Sequence, residues 1–369
     1  MRVLIDLRPL DTPSAWRGIG RYTRELALGL RRLAPPGWEL LALSWSGQGA
    51  ALGLGDLIHP GPRRGIGLTD RFFLPRFLRS HGIDLYHATA FPLPAGGARG
   101  VALVLTVHDL LADLHPEVFT LRQRLAFRRA YRSARRAQRV IAISATTRGE
   151  LLRRYPVDPD RVVTIPIGVG APFQGDHGPP IPPSGLPRPF LLYVGGLDPL
   201  KNVPFLLSVL QGVRREVPGM RLVVAGEEGP RRRALLERAR HAGLQEAVLA
   251  SGLLEDRTLL GAYRDAAVFL FPSRYEGFGL PPIEAMAAGC PVVASGGGAL
   301  SENLDGAALL RGPDDLPGWV AAVLELWRDA AGREQRIVTG RRRAAALTWD
   351  ATARATLDLY RAAQGERPA

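Results

Sequence analysis

Cysteine and lysine are all but absent from this chain. One cysteine, Cys290, stands among 369 residues, so no intrachain disulfide forms and no cysteine cluster holds zinc. Such usage fits a reducing compartment. Long apolar runs are missing as well: none approaches the roughly 18 residues of a membrane span, and Met1-Arg2-Val3-Leu4-Ile5-Asp6 meets charge before the apolar region of a leader develops. The expectation is a soluble, cytoplasmic chain. Of the 48 Lys+Arg residues only Lys201 is a lysine. Arginine so dominant reflects a GC-rich coding background, which drains meaning from the net charge of +13 and concentrates it on the exception. A guanidinium is a broad fork and an ammonium a compact point charge, so a site shaped for the second has a physical reason to keep it.

What is present describes a folded, two-domain molecule. At 46% hydrophobic and 22% charged residues wholesale disorder is excluded, and the length suits two domains that each bury a core. Short runs rich in Val, Leu and Ile alternate with amphipathic stretches, the pattern of parallel sheets flanked by helices. The first series predicts strands at Val3–Leu7, Glu39–Leu43, Asp84–His87, Ala102–Val107, Val140–Ile143 and Val162–Ile165. Helices are expected at Gly20–Leu33, Leu121–Gln138 and Thr146–Tyr155. A second series predicts strands at Phe190–Val194, Leu222–Ala225, Val248–Ala250, Val268–Phe271 and Val292–Ala294. Between the two, residues 174–189 are too dense in Pro and Gly for helix or central strand and read as a linker. The expected fold class is α/β, two doubly wound Rossmann-like domains in tandem facing across a cleft.

The most informative segment runs Ser273-Arg274-Tyr275-Glu276-Gly277-Phe278-Gly279-Leu280-Pro281-Pro282-Ile283-Glu284. It follows a predicted strand, and Pro281 or Pro282 suits the first turn of a helix. Glycines allow close backbone approach and free amides at a helix start favour an anion, which outlines a phosphate cradle. Glu276 in the loop and Glu284 about one turn into the helix can border one pocket, where ionised carboxylates accept hydrogen bonds from sugar hydroxyls. Taken alone, Glu276 reads equally as a solvated loop residue and Glu284 as a partner of the helix dipole. A second segment, Tyr193-Val194-Gly195-Gly196-Leu197-Asp198-Pro199-Leu200-Lys201-Asn202, ends a buried strand in two glycines and then presents the sole lysine. Its three N–H donors suit a diphosphate oxygen; read blandly, it is one exposed charge in a loop.

These two segments, with Arg17-Gly18-Ile19-Gly20-Arg21-Tyr22 and Thr106-Val107-His108-Asp109, resemble the retaining glycosyltransferases of the GT-B architecture, family four. The bacterial mannosyltransferases that build O-antigen and exopolysaccharide are the nearest group. The resemblance spans nearly the whole chain, including Ile143-Ser144, Ile165-Pro166-Ile167-Gly168-Val169 and Trp349. It implies an N-terminal acceptor-side domain over 1–173 with the helix 349–363 packed back on it, and a nucleotide-sugar-binding domain over 190–348. By resemblance, Glu284 holds the ribose hydroxyls, Glu276 meets the transferred sugar, and Gly277, Phe278, Gly279 and Leu280 offer main-chain amides to sugar and phosphate. Lys201 lies on the donor diphosphate beside the Gly195-Gly196 turn, Gly18 and Gly20 form the loop that closes over the phosphates, and His108 faces the reacting sugar. Gly252 and Leu253 fall near the base. Where many relatives carry a further arginine in the lysine segment this chain has Gly196 or Leu200, so Arg274 or Arg17 is expected to supply that charge. His108 reads alternatively as a satisfied core histidine.

The activity so implied is transfer of a hexose, mannose from GDP-mannose foremost, to a glycan or lipid-linked acceptor, with retention and without metal or other cofactor. UDP-glucose, UDP-N-acetylglucosamine and dTDP-rhamnose stay open as donors. The competing readings are a catalytically silent binding subunit and a sugar-nucleotide epimerase of the same architecture. Asp158-Pro159-Asp160 spells a metal-site triplet, yet its central proline marks a turn. The Gly18-Ile19-Gly20-Arg21-Tyr22-Thr23 run leaves a dinucleotide fingerprint incomplete. Finally, Leu121–Arg139 carries eight arginines and no acid, interleaved with Leu125, Phe127 and Tyr131, and residues 71–79 mix aromatics with arginine. That composition suits peripheral contact with an anionic membrane or, blandly, a solvated helix face; nucleic acid is disfavoured because no recognition fold accompanies the charge.

Overall fold

A computed structural model describes the backbone of residues 1–16, 18–59, 61, 66–170, 173, 186, 188–226 and 228–365, and their side chains except at 16, 66–69 and 71–72. Two compact units divide the chain: Met1–Gly168 with Thr348–Ala369, and Val169–Leu347. Most of the linker expected at 174–189 lies outside the described residues.

The first unit is a seven-stranded, wholly parallel sheet in the order β3-β2-β1-β4-β5-β6-β7. Its strands are β1 (Arg2–Asp6), β2 (Glu39–Ser44), β3 (Gly55–Ile58), β4 (Leu85–Ala88), β5 (Ala102–Val107), β6 (Arg139–Ala142) and β7 (Val162–Thr164). Burial on both faces explains the continuous apolar runs of the central strands, and all six residues of β5 are buried. The helix Trp349–Ala363 belongs to this unit. It approaches the Gly18–Leu33 helix so closely that a Cβ on Gly29 would lie 2.9 Å from that of Ala353, and Thr352 Oγ1 donates to the Pro166 carbonyl at 2.8 Å.

The second unit is a six-stranded parallel sheet in the order β10-β9-β8-β11-β12-β13. Here β8 is Phe190–Val194, β9 Arg221–Ala225, β10 Val248–Gly252, β11 Val268–Phe271, β12 Val292–Ser295 and β13 Leu309–Arg311. Both sheets are thus the doubly wound α/β type expected. Two edge strands escape the sequence reading, β3 and β13. Each is only three or four residues long and pairs on one side alone, and β3 opens with Gly55-Asp56, which breaks the apolar signature. The helix predicted to reach residue 138 ends as an α-helix at Ser133 and closes in a 3-10 turn over Ala134–Arg136.

Candidate active site

In the second sheet the chain winds from β8 outward through β9 and β10, then returns to place β11 on the other side of β8. The loops after β8 and β11 therefore leave in opposite directions, and the opening between them is where such sheets take ligands. Lys201 follows β8 at the end of a 3-10 turn, Pro199–Lys201, and Glu276 follows β11. The backbone ties the loops together: Arg274 N donates to the Leu200 carbonyl at 2.7 Å, and the buried Ser273 hydroxyl reaches the same carbonyl at 3.3 Å. Asn202, in the left-handed region at φ 52°, anchors the far side of the turn by donating from Nδ2 to the Pro313 carbonyl at 2.9 Å. The outcome is an ion pair, Lys201 Nζ to Glu276 Oε1 at 2.6 Å, with the two side chains 24% and 14% exposed.

The glycine loop is held from outside. Gly298 sits at φ +65°, and a Cβ there would lie 2.3 Å from the Glu276 carbonyl oxygen. That carbonyl accepts from Ala299 N at 2.9 Å. Only glycine permits so close an approach, so Gly298 fixes the backbone that carries Glu276. Gly279, at φ +89°, caps the Leu280–Ala288 helix, with proline in its first turn. Asn303 Nδ2 donates to the Phe278 carbonyl at 2.8 Å. Gly277 joins Glu276 to the buried Phe278, and Leu280, also buried, opens the helix. Glu284 lies inside the helix, 2% exposed, and accepts from the Tyr263 hydroxyl at 3.4 Å.

The remaining C-terminal candidates divide. Gly195 continues from β8 by donating to the Ala225 carbonyl at 3.0 Å, and the Gly196 carbonyl accepts from the buried Tyr193 hydroxyl at 2.6 Å. Leu253 stands 70% exposed just beyond β10. Arg274 is bound to Asp314 through two bonds of 2.8 and 2.5 Å, so its charge is already answered by a carboxylate. Arg17 lies outside the described residues. A cavity of about 300 Å³ opens beside Leu197, bordered by Glu228, Arg231 and Arg232. Arg232 pairs with Glu228 and donates to the Ala250 carbonyl.

In the first unit His108 stands one residue past β5. It donates from Nε2 to the Thr89 carbonyl at 2.8 Å, because a carbonyl only accepts, and this fixes Nδ1 as the ring's acceptor. Tyr22 packs edge-on against the ring at 4.8 Å. Burial outweighs that bond and lowers the imidazole pKa to about 4; His87, more completely desolvated and near His108, falls to about 3. Both rings are neutral at neutral pH. His87 bridges the Tyr360 hydroxyl at 2.6 Å and Thr106 Oγ1 at 2.8 Å, and Thr106 meets the Tyr22 hydroxyl at 2.9 Å. Gly18 and Gly20 lie in the first turn of their helix; a Cβ on Gly20 would meet the Ala15 backbone at 2.3 Å, a close-packing requirement, whereas Gly18 has open space. Asp158 caps a 3-10 turn by accepting from Asp160 N at 3.0 Å. Among the described residues no three His, Cys, Asp or Glu side chains cluster as metal ligands.

Sequence reasoning missed the buttresses: Ser273, Gly298, Asn303 and Tyr263. The run Gly296-Gly297-Gly298 was the signal for one of them; the others are ordinary residue types that gain meaning only in three dimensions.

Comparison with known proteins places this geometry in context. Residues 188–329 match the family described as "Glycosyl transferases group 1", and residues 16–171 match "Glycosyltransferase Family 4". The chain is 29% identical to O-antigen chain mannosyltransferase B of Escherichia coli over 296 residues, 77% of this chain and 76% of that one. It is 34% identical over 256 residues to a D-inositol 3-phosphate glycosyltransferase of Kineococcus radiotolerans, 63% of this chain and 59% of that one. Among solved structures, sucrose-phosphate synthase from Thermosynechococcus elongatus superposes with a TM-score of 0.78 at 22% identity, covering 98% of both chains, which shows a shared GT-B fold.

Proposed function

The chain belongs to the family 4 glycosyltransferases, and from that premise we propose that it transfers a hexose, mannose from GDP-mannose foremost, with retention of configuration and without a metal. The observation that carries the reading is the Lys201–Glu276 pair at the crossing point of the second sheet. Each partner neutralises the other. A bound sugar diphosphate offers each of them a closer chemical match. The ammonium turns to a phosphate oxygen and the carboxylate accepts from a sugar hydroxyl. Glu284 accepts from the ribose hydroxyls, and the Gly279 and Leu280 amides, just ahead of Pro281 and Pro282, which carry no N–H, donate to the phosphates.

In the reaction the anomeric C–O bond to the diphosphate breaks while the acceptor oxygen bonds to the same face. The leaving phosphate oxygen takes the acceptor's proton, so no protein nucleophile is needed. Once turned to the bound donor, Lys201, with the Gly279 and Leu280 amides, stabilises the charge that builds on the leaving group. Arg231, which lines the small cavity beside Leu197 and is in no ion pair among the described residues, is proposed ahead of Arg274, which Asp314 holds, to supply the further diphosphate charge. His108, neutral and held in one tautomer, keeps Nδ1 as an atom able to accept from a sugar hydroxyl.

The acceptor is proposed to be a glycan or a lipid-linked glycan. Among the described residues no helix is long and apolar enough to cross a membrane. Peripheral attachment is supported by the Leu121–Ser133 helix, where Leu121 and Leu125 are exposed among arginines. Flotation with anionic vesicles at low salt tests it, and failure to float removes the membrane claim. For the reaction itself the test is proton NMR of products from a panel of nucleotide sugars and acceptors. An axial donor bond giving an axial glycoside is expected. An inverted product, or an altered free sugar nucleotide, contradicts the proposal.

A further inference from the structure

A larger cavity, about 690 Å³, lies in the first unit on the two helices that flank β6. Arg128, Arg132 and Arg135 enter it from the first helix and its closing turn, and Arg153 and Arg154 from the end of the Ala145–Arg154 helix. The spacing 128, 132, 135 keeps the first three on one helical face. The floor is built: the Asp113 carboxylate, its side chain 9% exposed, accepts from Arg128 Nε at 2.6 Å and from the Tyr155 hydroxyl. Buried and beside Asp113, the Tyr155 phenol has its pKa pushed well up and stays neutral. The residues that line this cavity belong to the first unit, and those of the proposed donor site to the second. The cavity is also removed from His108, whose carbonyl accepts from Thr147 near the start of the second helix; seven residues of α-helix from Thr147 to Arg154 rise about 10 Å.

Five guanidiniums in one concavity repel each other unless something answers them. Asp113 is one answer, and Glu150, which pairs with Arg153 at 2.6 Å and Arg154 at 3.1 Å, is a second. Each helix adds about half a negative charge at its C-terminal end, so the two ends together answer about one more. About two positive charges remain. Arg132 and Arg135 make no ion pair among the described residues and are exposed, so the excess sits on them. Guanidinium forks match phosphate oxygens in paired bonds, and the volume admits a small molecule or headgroup.

We propose that this cavity is a second anion site, binding a ligand that carries a diphosphate or two phosphate groups. The shared chemistry is the phosphate, whether on a soluble molecule or on a lipid headgroup. Calorimetric titration of the full chain with inorganic tripolyphosphate tests it, comparing wild type, Arg132→Gln/Arg135→Gln, Lys201→Ala, and Arg122→Gln/Arg129→Gln as a charge-matched control on exposed positions of the same helix outside the cavity. The expected result is at least tenfold weaker binding at one site in the cavity variant, with that site intact in Lys201→Ala and in the control. Equal binding by the cavity variant overturns the proposal, and so does an equal loss in the control, which would mean diffuse charge alone. Unchanged thermal melting of the cavity variant certifies its fold. Phosphatidylcholine vesicles with and without phosphatidic acid then separate the sources. Binding displaced by tripolyphosphate assigns the site to a lipid headgroup, and tripolyphosphate binding without vesicle binding assigns it to a soluble ligand. Neither binding overturns it. A failed donor assay leaves these readouts untouched, so this inference and the transferase reading fail independently.

Discussion

The loop after β1 and the loop after β8 hold equivalent places in two sheets of the same winding, and each presents a cation at the crossing point, yet the two cations have opposite fates. Arg8 is fully buried. It donates to Asp6 Oδ2 at 2.7 Å, Asp70 Oδ2 at 2.7 Å and the Tyr86 hydroxyl at 3.1 Å, with Trp45 and Phe91 each 5.3 Å from its guanidinium. His59 closes the network by meeting Asp70 at 2.9 Å. Lys201 pairs with the Glu276 carboxylate and keeps about a quarter of its side chain in solvent. A network desolvated on every side stays as it is, because exchanging a partner leaves a charge buried alone. A pair that water still reaches exchanges partners at less cost than one buried on every side. The same position in one fold is spent on structure in the first unit and, under the proposed function, on ligand chemistry in the second.

The contrast is sharpest when each cation is removed. Arg8→Met leaves Asp6 and Asp70 buried without their partner and is expected to cost about 3–5 kcal/mol in denaturant unfolding of the first unit. If stability is unchanged, the view of Arg8 as structural fails. Lys201→Ala is expected to behave in the opposite way, with melting nearly unchanged and kcat down by about 10²–10³, the scale of losing one transition-state stabiliser. Lys201→Arg is not expected to restore the rate, since a fork does not replace a point charge.

Much of this was legible from residue order, and the illegible part has a common cause. Glu276, Glu284, Lys201 and the glycines between them are read from the sequence because local rules place them: a strand end, a loop, a proline-started helix. The ion pair across 75 positions, from Lys201 to Glu276, is not local. It depends on Arg274 bonding to Leu200 and on Gly298 pressing against Glu276, contacts that strand order creates. Arg8 went unnoticed because one arginine among dozens carries no signal, whereas a lone lysine does. The edge strands β3 and β13 were lost for a simpler reason, having too few apolar residues to show a period.

The neutral histidines give a third, smaller contrast. His87 and His108 have folded pKa values of about 3 and 4, below the ordinary histidine value. The unfolded chain therefore binds more protons in the window between, and stability is lost as pH falls below about 6.5. Between pH 7 and 5 each ring is expected to remove about 2 kcal/mol, a loss reduced in His87→Gln and measured by urea unfolding at both pH values. A wild type and variant that weaken equally would show that the rings are not the cause. Least affected should be Arg274→Ala: its partner Asp314 is exposed, so donor KM is expected to change less than about fivefold. Arg231→Ala should raise KM more, and the reverse order would return the diphosphate role to Arg274.

The most direct measurement is the melting temperature of wild type and Lys201→Ala against GDP, UDP and dTDP. A ligand that binds only the folded chain at a hundredfold excess over its Kd adds about 2.7 kcal/mol. The wild type should gain several degrees with one nucleotide, and Lys201→Ala should lose most of that gain with the same nucleotide. An equal gain in both proteins would contradict the account, because the chain's only lysine ammonium would then have no part in holding the diphosphate.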